Sequence, residues 1–135
     1  MKKVVSEPTP TNNPRIPEIN VKISWSEKVK KSELYHLKNS QDCAAICRDL
    51  LEENIHFTES MVLLLLNRNN KVLGFKKLSS GGITGTVLDA RVVFFHAVHT
   101  PGCTGIILAH NHPSGNLQPS EADIRITRQI KQGGH

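Results

Sequence analysis

The sequence predicts an α/β layer fold with a mixed sheet and helices on its faces, and three patterns carry that reading. Met61 to Leu66 and Thr104 to Ala109 are short continuous apolar runs, as buried strands require. Two segments repeat apolar residues at i, i+3, i+4, i+7 and i+8. The first is Cys43, Ile46, Cys47, Leu50 and Leu51; the second is Ala90, Val93, Phe94, Ala97 and Val98. Val72 to Leu78 follows the turn formers Asn67-Arg68-Asn69-Asn70 and reads as the returning strand of a hairpin.

Taken in chain order, residues 1–15 carry Pro8, Pro10 and Pro14 with few large apolar groups, which predicts a disordered leader. Residues 16–38 form a basic N-terminal extension. Ile19, Val21, Ile23 and Trp25 alternate weakly there, so a strand is expected over 19–25, with Trp25 packed on the main body. Asn39 and Ser40 are helix caps, and a helix is expected to run to about Glu53. Ser79 to Thr86, with Gly81, Gly82 and Gly85, reads as a flexible connection. It lacks the Gly-Lys-Ser/Thr ending of a phosphate loop.

Asp89 starts a second helix whose His96 and His99 fall off the apolar stripe, where solvent is expected. Pro101 and Gly102 end it. The strand over 104–109 delivers His110 at its C-terminal end. A loop over 110–119 and a third helix, Glu121 to Gln132, follow before Gly133-Gly134. No internal repeat is present. One domain over 39–135 is expected at this length.

Composition narrows the class. Hydrophobic content of 38% supports a modest core, and no apolar run reaches the length of a membrane span. Lys2 and Lys3 are not followed by an apolar stretch, so no secretory signal is read, and a cytoplasmic location is the expectation. Residues 1–38 hold eight Lys/Arg against four Asp/Glu, whereas residues 39–135 hold nine against eight. The net charge of +5 therefore belongs mostly to the leading segment, which is either a solvated tail or a weak nucleic-acid contact. Three cysteines without a secretory signal argue against a disulfide framework. Cys43 and Cys47 read as buried small hydrophobes.

The chemistry concentrates after the last apolar run. His110 and His112 are two residues apart in an extended segment, so both rings project to one side and suit one divalent ion. Asp123 follows His112 by eleven residues and supplies a third ligand. Three protein ligands leave a fourth position open, as in catalytic rather than structural zinc sites. Ser120-Glu121-Ala122-Asp123 is equally a helix start, in which Asp123 complements the helix N-terminus. The two roles are compatible. Glu59 directly precedes the apolar run over 60–66 and is either a solvated strand-end charge or a site group.

Glu59, then His110-Asn111-His112-Pro113-Ser114-Gly115, then Pro119-Ser120 and Asp123, resemble the RadC-like branch of the JAB/MPN (JAMM) metalloprotease superfamily. Gly85-Thr86, Arg91 and Ile106-Ile107-Leu108-Ala109 agree with that pattern. The resemblance covers residues 16–132 and implies a three-layer, cytidine-deaminase-like fold. It implies Zn2+ held by His110, His112 and Asp123, with Glu59 as general acid/base. It makes Ser120 the serine that stabilises the developing oxyanion. The reaction implied is peptidase or isopeptidase-type hydrolysis of an unnamed protein or peptide.

Two features set this sequence apart from longer relatives. No Gly-x-Gly hairpin pair stands ahead of residue 40, so the helix-hairpin-helix module of those relatives is not expected. The sequence also stops at Gly133-Gly134-His135, where relatives continue into further strands. A domain truncated at its C-terminal end is therefore expected, with an exposed sheet edge open to homo-oligomers. Two rival functions remain open: a DNA-associated repair or mobile-element accessory protein that uses the fold for binding, and an inactive interaction domain.

Overall fold

A computed structural model of the chain describes residues 15–51, 60–80, 89–111, 128 and 131. Its elements are α1 (Ser40–Leu51), β1 (Ser60–Leu66), β2 (Val72–Ser80), α2 (Ala90–His99) and β3 (Gly105–His110). The strands form one sheet in the order β2-β1-β3, which makes the most apolar strand the central one.

Position in the sheet explains the composition of β1. All seven of its residues are buried, and Val62, Leu63 and Leu64 expose nothing. A strand covered on both faces has no use for polar alternation. Val62, Leu64 and Leu66 pack with Cys47 and Leu51 of α1, while Ile107, Ala109 and Val72 close the same cluster. Leu63 and Leu65 face the other way, against Val93 of α2, with Leu78, Ala97, Ile106 and Leu108 around them. Burying one such leucine contributes about 1.5–3 kcal/mol relative to exposing it.

Helix α1 begins where Asn39 Oδ1 accepts the Asp42 N–H at 2.9 Å, and the Asp42 carboxylate accepts the Lys38 N–H at 3.1 Å. The cap thus satisfies one orphaned donor of the first turn, and the Asp42 carboxylate reaches back to the residue before the cap. The expected stripe is the buried one: Cys43, Ile46, Cys47, Leu50 and Leu51 all face the sheet. Burial first, then Cys43, pushes the Cys47 thiol up to about 11, so it behaves as a small hydrophobe.

The hairpin turn is built by asparagine chemistry. Asn67 Oδ1 accepts the N–H groups of Asn69 and Lys71, and Asn70 takes a left-handed φ of 58°. Asparagine tolerates that region better than other non-glycine residues. Helix α2 opens on Asp89, whose carboxylate accepts the Arg91 N–H at 2.9 Å and also its guanidinium. These bonds hold the Asp89 carboxyl below its ordinary range. After Thr100, Gly102 takes φ +82° and turns the chain into β3.

Five expectations need correction or narrowing. A mixed sheet is expected, but both strand pairs among the described residues are antiparallel. No strand forms over 19–25: Ile19 and Val21 are exposed, and an alternating pattern without a neighbouring strand has nothing to pair with. The segment instead meets the sheet at His36, which bridges Lys71, and through Trp25. Val98 is 77% exposed rather than part of the α2 stripe, because Val93 and Ala97 centre the buried face. His96 and His99 are half-buried rather than solvated. Each ring bonds a backbone carbonyl one turn back, and both contact Phe95.

The connection over 79–86 begins later than expected, since β2 runs through Ser80. Residues 1–14, 52–59, 81–88 and most of the third-helix stretch lie outside the described residues. Arg128 and Lys131, the two described residues of that stretch, are helical and exposed. No described helix is long and apolar enough to cross a membrane.

Candidate metal centre

The β1–β3 ladder fixes one corner of the sheet. Met61 stands opposite His110, and the register runs without interruption to Leu66 opposite Gly105. At the far end, the Thr104 N–H donates to Leu66 O at 2.8 Å. At the near end, the Ser60 N–H donates to Asn111 Oδ1 at 2.8 Å and the Asn111 N–H to Ser60 O at 3.3 Å. Residues 51 apart in sequence are thereby pinned side by side. Because side chains alternate, His110 shares the α2 face of β3 with Ile106 and Leu108.

His110 is the one candidate donor among the described residues, half-buried at the C-terminal end of β3. Glu59, His112, Ser120 and Asp123 lie outside them. Along the chain, Glu59 adjoins Ser60 and His112 adjoins Asn111, so each is one residue beyond the pinned pair. Among the described residues, no group of three His, Cys, Asp or Glu side chains is placed to hold a metal ion. The donor chemistry of the expected set suits zinc: two neutral imidazoles and a carboxylate are borderline ligands of the kind Zn2+ prefers.

The hydrogen-bonded pair of Asn111 and Ser60 is one that the sequence pattern alone did not single out. The available signal was parity: the residue between two same-side histidines projects the other way, where an amide can reach the neighbouring strand. Replacing Asn111 by alanine should leave the N–H of buried Ser60 without that acceptor. A loss of about 1–3 kcal/mol in unfolding free energy is expected, read from urea titrations of both forms.

With this geometry in hand, comparison with known proteins decides the family. The family model for the RadC-like JAB domain matches residues 37–135. The chain belongs to the RadC-like JAB domain family. Its small α/β sheet with two packed helices is consistent with a JAB-like fold.

The UPF0758 protein of Flavobacterium johnsoniae is 44% identical over 102 residues, which cover 76% of this chain and 43% of that relative. The UPF0758 protein of Clostridium novyi is 33% identical over 106 residues, covering 78% and 45%. That of Porphyromonas gingivalis is 43% identical over 74 residues, covering 55% and 32%. The chain thus spans less than half the length of these curated relatives.

Proposed function

We propose that this RadC-like JAB domain is a zinc-dependent hydrolase of the JAMM type, acting on a peptide or isopeptide amide. The observation that carries the reading is the pinned corner, where Ser60 and Asn111 exchange hydrogen bonds beside His110. In the sequence Glu59 immediately precedes Ser60 and His112 immediately follows Asn111, and that adjacency supports assigning both to this corner. A rigid strand end is a sound base for a site that tolerates little positional error.

In this reading His110, His112 and Asp123 hold the metal. Zinc there would supply Lewis acidity and bring the pKa of a coordinated water toward about 7. Glu59 takes a proton from the attacking water and returns it to the leaving nitrogen, since an amide leaves poorly as an anion. The Ser120 hydroxyl donates a hydrogen bond to the oxygen on which charge develops. Asn111 holds the two strand ends in register while this happens.

The test is zinc content and turnover measured on one preparation. The full chain should carry about one zinc per molecule after dialysis. It should cleave members of a peptide and isopeptide-linked library, and chelation should abolish cleavage.

A second reading follows from the exposed Lys22, Lys28, Lys30 and Lys31 of the extension, which suit contact with nucleic-acid phosphates. If it holds, duplex binding should weaken steeply with salt and ignore sequence. Replacing Lys28, Lys30 and Lys31 by glutamine should then flatten the salt dependence without touching zinc content. Since Leu37 belongs to the core, removing the whole extension would confound that test.

A further inference from the structure

We propose that the outer edge of β2 is a strand-addition site for an extended acidic peptide. Among the described residues the sheet order is β2-β1-β3, with β2 at an edge. The N-terminal extension covers only its beginning. Leu37 N–H donates to Asn70 O, Val72 N–H donates to Tyr35 O at 2.8 Å, and His36 bridges Lys71 in antiparallel fashion. Toward its N-terminus the extension turns away at the short 3-10 helix Lys31–Glu33. It meets the strand again only where Trp25 Nε1–H donates to Leu73 O at 3.0 Å.

From Gly74 onward, β2 pairs with β1 alone among the described residues. Alternate backbone N–H and C=O groups on its far side have no strand partner among the described residues, and in the proposal they take an added strand, the usual mode of β-augmentation.

The side chains select the occupant. Phe75 stands opposite Leu64 and Lys77 opposite Val62, which places both on the α1 face; Lys76 stands opposite Leu63 on the α2 face. Phe75 is 49% exposed and both lysines are exposed. An added strand therefore meets one ammonium above its plane and one below, with an aromatic ring two residues from Lys77.

A second copy of β2 is a poor match. Two-fold antiparallel pairing centred on Lys76 or on Lys77 would set that lysine across from its own equivalent, and like charges directly opposed destabilise a sheet. Lysines on an edge discourage self-pairing in just this way. They favour a strand that carries adjacent glutamates or aspartates, one for each face. A single-stranded nucleic acid matches less well too. The position of a Cβ built on Gly74 lies 3.3 Å from Trp25 Nε1, so the indole sits on the α2 face. Phe75 is on the opposite face, and the two rings make no common stacking platform.

The probe is a blocked peptide, Thr-Val-Glu-Glu-Val-Thr, titrated into the 15N-labelled full chain. Amide shifts confined to residues 74–78 and their β1 partners are expected. The same peptide N-methylated on alternate residues should lose at least tenfold in affinity, a comparison that needs no protein variant. Lys76→Glu combined with Lys77→Glu should lose the peptide by a similar factor and gain the version with lysine in place of glutamate. No shift in β2 at millimolar peptide would overturn the proposal. So would affinity indifferent to N-methylation, self-association of the free chain through β2, or stronger shifts of these amides with a single-stranded oligonucleotide.

Discussion

Replacing Glu59 by glutamine should leave zinc content and unfolding free energy near wild type while lowering amide hydrolysis by on the order of a hundredfold or more. The substitution keeps the size and shape of the side chain and removes only its ability to accept a proton. Glu59 adjoins Ser60, a residue 7% exposed at the mouth of the central strand. Ser60 is bonded in both directions to Asn111, which follows His110 directly. In the proposed reading the Glu59 carboxylate acts at this end of the sheet. If it were only a solvated strand-end charge, its loss would change stability by a few tenths of a kcal/mol and leave turnover alone. The measurement compares both forms on one peptide and isopeptide library at matched zinc occupancy. Equal turnover would remove Glu59 from the mechanism. Equal losses of turnover and of zinc would instead make it a ligand or a structural support.

The parts of the fold legible in the sequence were those where burial is two-sided or a cap is local. The run Met61–Leu66 has no polar interruption because helices cover both faces of β1. Asn39, Asp89 and the Asn67–Asn70 turn act within a few residues of themselves, so their side chains announce their roles. What misled was periodicity without a partner. Ile19 to Trp25 alternates like a strand, yet the neighbouring edge bonds Tyr35 and the Trp25 indole instead. Val98 fits the helical stripe by number and remains exposed, because α2 meets the sheet mainly through Val93 and Ala97. The hairpin reading already implied that β2 runs antiparallel to β1, but the direction of β3 was not legible, since an apolar run does not say which way its neighbours run. For the candidate site, the spacing of His110 and His112 pointed to a metal, but the pairing of residue 60 with residue 111 is a long-range fact that no local pattern encodes.

Loss of either histidine should abolish stable zinc binding, because two remaining protein ligands hold the ion poorly. His112→Ala and His110→Ala should each come through dialysis with well under one zinc per chain, against about one for the wild type. The decisive readout separates a ligand from an ordinary packed histidine. His110 is half-buried beside Leu108 on the α2 face, so its truncation carries a packing cost whether or not zinc is present. A ligand adds a second, metal-dependent loss. Free zinc at a hundred times its dissociation constant stabilises a protein that binds it only when folded by about 2.7 kcal/mol. The wild type should therefore gain several degrees in melting temperature on zinc addition and lose them on chelation. Both variants should melt at one temperature under the two conditions, with His110→Ala lower than wild type even in chelator. Asp123→Asn should fall between, since an amide oxygen is a weaker donor than a carboxylate. A zinc-dependent rise of equal size in wild type and His112→Ala would place the metal elsewhere and break the link between this corner of the sheet and hydrolysis.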